Sequence, residues 1–262
     1  MISDLAGLLD RVPLAAVPAV LAVLFFIVSE LGYRLHQRFG GGGSADDETQ
    51  VLSAALLLLA LLLGFTFSMA LGRYDERRQL VVQEANDIGT AWLRAGLVPA
   101  PHGPALQQAL ADYAQIRQTS PLPNETQKLA AAARLRDRVW AITATAQSVL
   151  DGPRAASLVS AVNSVIDTGT TREKSVAARV PGEVIMLLVI FACVACFLLG
   201  YVLAAHGQRH RLVSSVLFAL MSLTVMLILD LDRPADGAIR VDQSALRELA
   251  QQLANTARSA QQ

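Results

Sequence analysis

The sequence predicts an all-α membrane protein with four transmembrane helices, the second of them prolonged into a cytoplasmic helical bundle. Three observations carry that prediction. Hydrophobic residues make up 53% of the 262 and charged residues only 17%, where an ordinary soluble domain carries about 25% charged residues; the mean hydropathy is +0.42. Aromatic residues amount to 5% while Ala and Leu abound, a balance that favours helices over the aromatic and β-branched strands of a sheet. The apolar excess is gathered into four runs almost free of charge, each near the roughly 20 residues that cross a bilayer core as helix.

The first run covers Val12–Val28 and continues through Ser29 and Glu30 to Tyr33. Its leader holds Asp4 and Asp10 ahead of Arg11, and it ends in Glu30 instead of a small-residue cleavage site, so it reads as a retained span and not as a signal peptide. Residues 39–50 follow as a linker: Gly40–Gly43, Ser44 and the acidic Asp46, Asp47 and Glu48 have the composition of a flexible, exposed connection. Together these elements and the second run, Val51–Leu71, form a transmembrane unit over 1–71.

The second helix does not stop at the membrane. Leu80, Val81, Ile88, Ala91, Trp92 and Ala95 recur near the helical period, and no strong breaker intervenes before Pro99. A helix from Val51 to about Leu97 would be about 70 Å long at 1.5 Å per residue. After Pro99, Pro101 and Pro104, the 72–182 insert continues with a helix to about Gln118, a turn at Pro121–Asn124, a helix to about Leu150 and another beyond Gly152. Asn124 with Gln127 has the spacing of a capping box at the third of these starts.

The third and fourth runs, Val184–Ala205 and Leu212–Leu229, are joined by only His206–Arg211, so 183–230 is an antiparallel transmembrane hairpin. The tail, 231–262, holds an irregular or hairpin segment over Pro234–Val241 and a helix from about Gln243. Four spans place both termini and the insert on one side. Arg73, Arg77, Arg78, Arg172, Lys174 and Arg179 flank the insert, whereas the opposite connections hold Arg34, Arg38, Arg209 and Arg211; the balance predicts a cytoplasmic insert and cytoplasmic termini.

Charge and motif arithmetic exclude several function classes. Lys+Arg 22 against Asp+Glu 22 leaves no basic excess to attract nucleic acid. Cys193 and Cys196 lie inside an apolar run, where they act as small buried hydrophobes. No nucleophile elbow, phosphate-cradling glycine loop or carboxylate and histidine constellation is present, so no enzyme chemistry is expected. Glu30, near the end of the first span, is an ionisable residue inside a hydrophobic stretch and so a functional candidate, but Arg34 four residues on predicts an intrahelical pair that accounts for it. Two polar stripes on the insert, Glu84, Asp87, Thr90 and Arg94 and then Asn163, Asp167 and Arg172, read as hydrogen-bond and salt-bridge partners between helices or subunits, the alternative being the lining of a cytoplasmic vestibule.

Leu57, Leu61 and Phe65 are spaced four apart on one face of the second span. Such a face suits lipid contact or helix packing; repeated around an oligomer axis, it makes an apolar constriction that gates by dewetting. Leu63, Gly64 and Phe65 with Ser68, Arg73 and Tyr74 resemble the second transmembrane helix of bestrophin ion channels. Gly72–Pro99 and Leu229–Val241 are similar to the bacterial family labelled bestrophin-like, and the resemblance extends to the four-span layout.

The resemblance implies a homo-oligomer, a pentamer in bestrophins, in a bacterial inner membrane, with inorganic ions and the bilayer as partners. It implies a pore lined by the second helix, narrowed by Leu57, Leu61 and Phe65, with Arg73, Tyr74 and Arg77 at the helix exit. Tyr74 and Asp75 depart from the aromatic pair that many bestrophins carry there. Eukaryotic bestrophins hold an acidic calcium clasp after the last span, so the resemblance allows an ion-binding or gating role for Asp230, Asp232 and Asp236, but the acidic run here is sparse and calcium is not called for; the plainer use of Asp230 and Asp232 is to pair with Arg73, Arg77 or Arg78. No other cofactor is called for. The alternative to a channel is a membrane-anchored scaffold or sensor without conductance, and oligomeric state separates the two.

Overall fold

The computed structural model describes residues 14–40, 45–118, 125–207, 209–233 and 237–259. The expected capping box at Asn124, the turn at Pro121–Asn124, the leader before the first span and Asp236 lie outside the described residues. Among the described residues every regular element is helical. Four stretches are long and apolar enough to cross a membrane. The chain divides into two compact units, one formed by Met1–Tyr74 and Arg179–Ile239, the other by Asp75–Ala178 and Arg240–Gln262.

In the first unit, a 3-10 turn at Leu14–Ala16 leads into α1 (Val17–Phe39), whose proline sits in the opening turn, where its missing N–H costs nothing. Val17, Leu21, Phe25, Ser29 and Gly32 form its buried stripe, while Val20, Val23, Ile27 and Leu31 on the other faces stay exposed. A helix apolar on all sides needs lipid or protein all round. α1 packs against α6 (Gly182–Ala205) and α7 (Arg211–Asp232). Two glycines set its approach to α6: a Cβ on Gly200 would lie 1.9 Å from the Ser29 carbonyl oxygen, and one on Gly32 2.2 Å from that of Phe197. Without a hydrophobic drive between helices in lipid, such backbone proximity supplies the packing. Gly207, with φ +67°, takes the left-handed turn that leads from α6 toward α7.

The helix α2 (Ala45–Ala95) is unbroken over 51 residues. It begins inside the stretch expected to be linker, because Asp46, Asp47 and Glu48 suit the first turn of a helix, where the dipole favours carboxylates. The fourth span likewise outruns its apolar stretch, continuing through Asp230 to Asp232. The tail is divided: its part up to Ile239 joins the first unit and the remainder joins the second.

In the second unit, α3 (His102–Arg117), α4 (Glu125–Ala146), α5 (Gly152–Ala177) and α8 (Ser244–Ser259) surround the end of α2. Asp151 caps α5 by accepting from the Arg154 amide at 2.9 Å. Ile88, Leu106, Leu110, Tyr113, Leu158 and Val162 form the centre of the core, and Leu246, Ala250 and Leu253 of α8 close it.

Candidate functional site

The apolar part of α2 has two unlike faces. Leu59, Thr66 and Ala70 are buried, at 3%, 1% and 0% exposure, and Leu56, Leu63, Phe67 and Tyr74 pack partly against the same core. On the other side Leu57, Leu61 and Phe65 are 71%, 53% and 65% exposed. The helical period brings these three onto one outward strip with Gly64, Ser68 and Gly72, and a Cβ on either glycine would meet nothing within 4 Å. Thr66, on the inner face, donates its hydroxyl to the Leu62 carbonyl at 2.7 Å.

Of the exit residues, Tyr74 packs into the core of the first unit, and the Nε of half-buried Arg73 has no hydrogen-bond partner among the described residues. Arg77, 3% exposed, belongs to the second unit. It donates to the carbonyls of Ser175 (3.1 Å) and Ala178 (2.7 Å), satisfying acceptors that the end of α5 leaves open.

The carboxylates that follow the fourth span are buried and engaged. Asp230 accepts from the amides of Ala238 at 2.7 Å and Ile239 at 3.0 Å, one on each oxygen, so it meets backbone where an arginine was expected. A Cβ on Gly237 would lie 2.7 Å from the same carboxylate, which leaves room only for glycine there. Asp232 accepts from the Val180 amide at 2.8 Å. A calcium cage needs about six to eight oxygens turned toward one point. Oxygens that point at amides do not fit that donor set, and among the described residues no three His, Cys, Asp or Glu side chains gather to hold a metal.

A buried charge network occupies the heart of the second unit. Glu84 has no exposed surface. Its carboxylate accepts from Arg117 Nε at 2.7 Å, Arg172 Nη1 at 2.5 Å and the Tyr113 hydroxyl at 2.9 Å. Arg117 also donates to Glu173 at 3.0 Å, and Arg136 donates to both Glu173 oxygens at 2.5 and 3.2 Å. Arg172 continues to Gln243, whose amide donates in turn to the Val241 carbonyl. Burial works against the charged form of Glu84, but the Arg117 and Arg172 guanidinium groups outweigh it and hold the pKa below the usual carboxylate value. Burial and the adjacent Glu84 carboxylate push the Tyr113 phenol upward.

Of the polar stripes read from sequence, Glu84 and Arg172 meet each other, and Asp87 accepts from Gln83 and from Thr168 at 2.6 Å. Glu30 pairs with Arg34 at 3.0 Å as expected. Tyr113, Arg117, Arg136, Glu173 and Gln243 were not anticipated. A signal for two of them exists in the sequence: Leu106, Leu110, Tyr113 and Arg117 run at helical spacing along one buried stripe, where an arginine demands a carboxylate.

Sequence and structure comparisons agree on kinship. The family model described as a Bestrophin-like domain matches residues 22–246. Several crystal structures of a bacterial bestrophin homolog from Klebsiella pneumoniae share the fold. One variant is 18% identical with a TM-score of 0.65, covering 92% of this chain and 97% of that one. Another is 19% identical with a TM-score of 0.67, covering 91% and 97%. A third, solved by zinc phasing, is 19% identical with a TM-score of 0.64, covering 91% and 96%. Among curated proteins none matches the sequence. The family match over most of the length establishes that the chain belongs to the bestrophin-like family.

Proposed function

We propose that the protein is an oligomeric ion channel in which copies of α2 surround a pore, narrowed by Leu57, Leu61 and Phe65. The observation that carries this reading is the outward strip of α2: three bulky apolar side chains turned away from the chain's own core on a span whose opposite face is buried. An apolar strip on a span must meet lipid or another copy, and membership of the bestrophin-like family favours a closed ring of copies, five in bestrophins. A neck without charge selects ions by size and by the cost of removing water. The second unit and the termini are assigned to the cytoplasmic side of a bacterial inner membrane, following the arginines that flank 72–182. Arg77 and Asp230 are assigned structural work, as the cap of α5 and the clasp of the 237–239 segment.

Ion flux in proteoliposomes, driven by chloride and then by sodium gradients, tests the reading against Leu61→Ala, Phe65→Ala. The double variant is expected to raise flux about tenfold by widening and wetting the neck, and the gradient that drives it identifies the sign of the permeant ion. No flux from either protein, with assembly verified by native mass spectrometry, would favour the scaffold or sensor reading.

A further inference from the structure

A cleft opens in the first unit where α1, α6 and the start of α7 meet. Three basic residues in a row, Arg209, His210 and Arg211, stand at its rim. Arg209 is held in place by Tyr33, whose ring lies 4.4 Å beneath its guanidinium. Glu30 also lines the cleft, but its charge is matched by Arg34. Arg209 and Arg211 have no carboxylate within salt-bridge distance among the described residues. Glu30 also acts on Arg209, but one carboxylate against Arg34, Arg209 and Arg211 leaves the rim with a net positive charge.

Two further features point inward. Ser29 and Ser214 line the cleft, each on a residue only 8% exposed, and neither hydroxyl has a hydrogen-bond partner among the described residues. Both hydroxyls open on the cleft, where they are free to donate to an acceptor from outside the chain. The N-terminus of α7 adds amides that no side chain caps, and such amides favour an anion. Below the polar rim the walls turn apolar, with Phe26, Leu203 and Phe218.

We propose that this cleft binds a phosphate-bearing anion, presented as the headgroup of an anionic phospholipid. Arg209 and Arg211 meet the phosphate oxygens, the Ser29 and Ser214 hydroxyls donate to them, and the phenylalanines lie against the glycerol and first acyl carbons. Arginine suits this role because its planar fork matches two oxygens at once.

The test uses the full chain, purified in neutral detergent, with lipid binding measured by native mass spectrometry. Dioleoyl-phosphatidylglycerol is expected to bind about tenfold more tightly than dioleoyl-phosphatidylcholine, and Arg209→Gln, Arg211→Gln to erase that preference. Arg209→Lys, Arg211→Lys keeps the charge and is expected to retain part of it; this variant also decides the matter if the glutamine protein does not fold. Equal binding of the two lipids by the unaltered chain overturns the proposal. So does an equal loss in Arg38→Gln, an arginine that stacks on Phe39 and does not line the cleft, because that would reveal diffuse surface attraction. Displacement of phosphatidylglycerol by glycerol 3-phosphate would support a site for the phosphate itself, open to soluble anions. Persistence of the lipid against glycerol 3-phosphate would support recognition of headgroup and acyl region together.

Discussion

The two units solve opposite problems with opposite chemistry. The first brings helices together by removing side chains: Gly32 and Gly200 let α1 and α6 approach to backbone contact, and the aliphatic surface left over faces outward. The second brings helices together by burying charge, with Glu84 and Glu173 shared among Arg117, Arg136 and Arg172. In lipid, apolar surface gains little from contact with more apolar surface, so close packing decides. In the second unit apolar burial already drives assembly, and the charge network adds specific pairs between α2, α3, α4 and α5. The protein carries a separate reporter for each unit. Both tryptophans, Trp92 and Trp140, lie in the second unit, and both cysteines, Cys193 and Cys196, lie in the first.

The largest effect is expected from Glu84→Ala. It strands Arg117 and Arg172 in the core, and removing one partner of a buried pair costs about 3–5 kcal/mol. Tryptophan fluorescence should report an unfolding midpoint well below that of the unaltered protein, while thiol labelling of Cys193 and Cys196 with heat stays near its original profile. A parallel shift in both signals would mean that the units do not unfold separately.

Gly200→Ala should show the converse. A Cβ 1.9 Å from the Ser29 carbonyl forces α1 and α6 apart, at a cost of about 3 kcal/mol. Thiol labelling should advance to lower temperature and tryptophan fluorescence should hold. Asp230→Ala removes the acceptor from two part-buried amides, an expected loss of about 1 kcal/mol on the thiol signal.

Acid gives the mildest contrast. The pKa of Glu84 is lowered below its ordinary 4.5 in the folded state, so the unfolded chain takes up a proton first as pH falls. Its stabilising contribution is complete above about 4.5 and is lost as pH drops through the lower native value. The tryptophan transition should therefore weaken in that window more than the thiol transition. Glu84→Gln should flatten its pH dependence; an unaltered slope would assign the acid sensitivity to other groups.

What the sequence made legible follows the same division. The four spans and the long second helix are local patterns, runs and periods within one segment, and they emerge close to their expected bounds. The start of α2 lies earlier than composition suggests, because Asp46, Asp47 and Glu48 look like loop by composition and act as a helix N-terminus by position. The outward strip of Leu57, Leu61 and Phe65 could be named but not told from a buried one, since both want the same residues. The charge network was legible only in halves. Glu84 and Arg172 were marked as polar, but their meeting depends on a separation of 88 positions that no periodicity encodes. The charge of Asp230 points to a cation or an arginine, whereas its carboxylate holds two amides eight and nine residues later.

The discontinuity of the second unit bears on how the chain is made. Leu246, Ala250 and Leu253 complete a core whose other members all lie between Val81 and Val165, and Gln243 is the outer anchor of Arg172. These residues leave the ribosome only after the fourth span has been synthesised. Throughout insertion of the hairpin the bundle exists with one wall open, its leucines and alanines exposed to whatever chaperone or sister chain is near. Assembly is thus ordered by translation: the membrane spans are threaded first, and the polar bundle is sealed afterwards by α8.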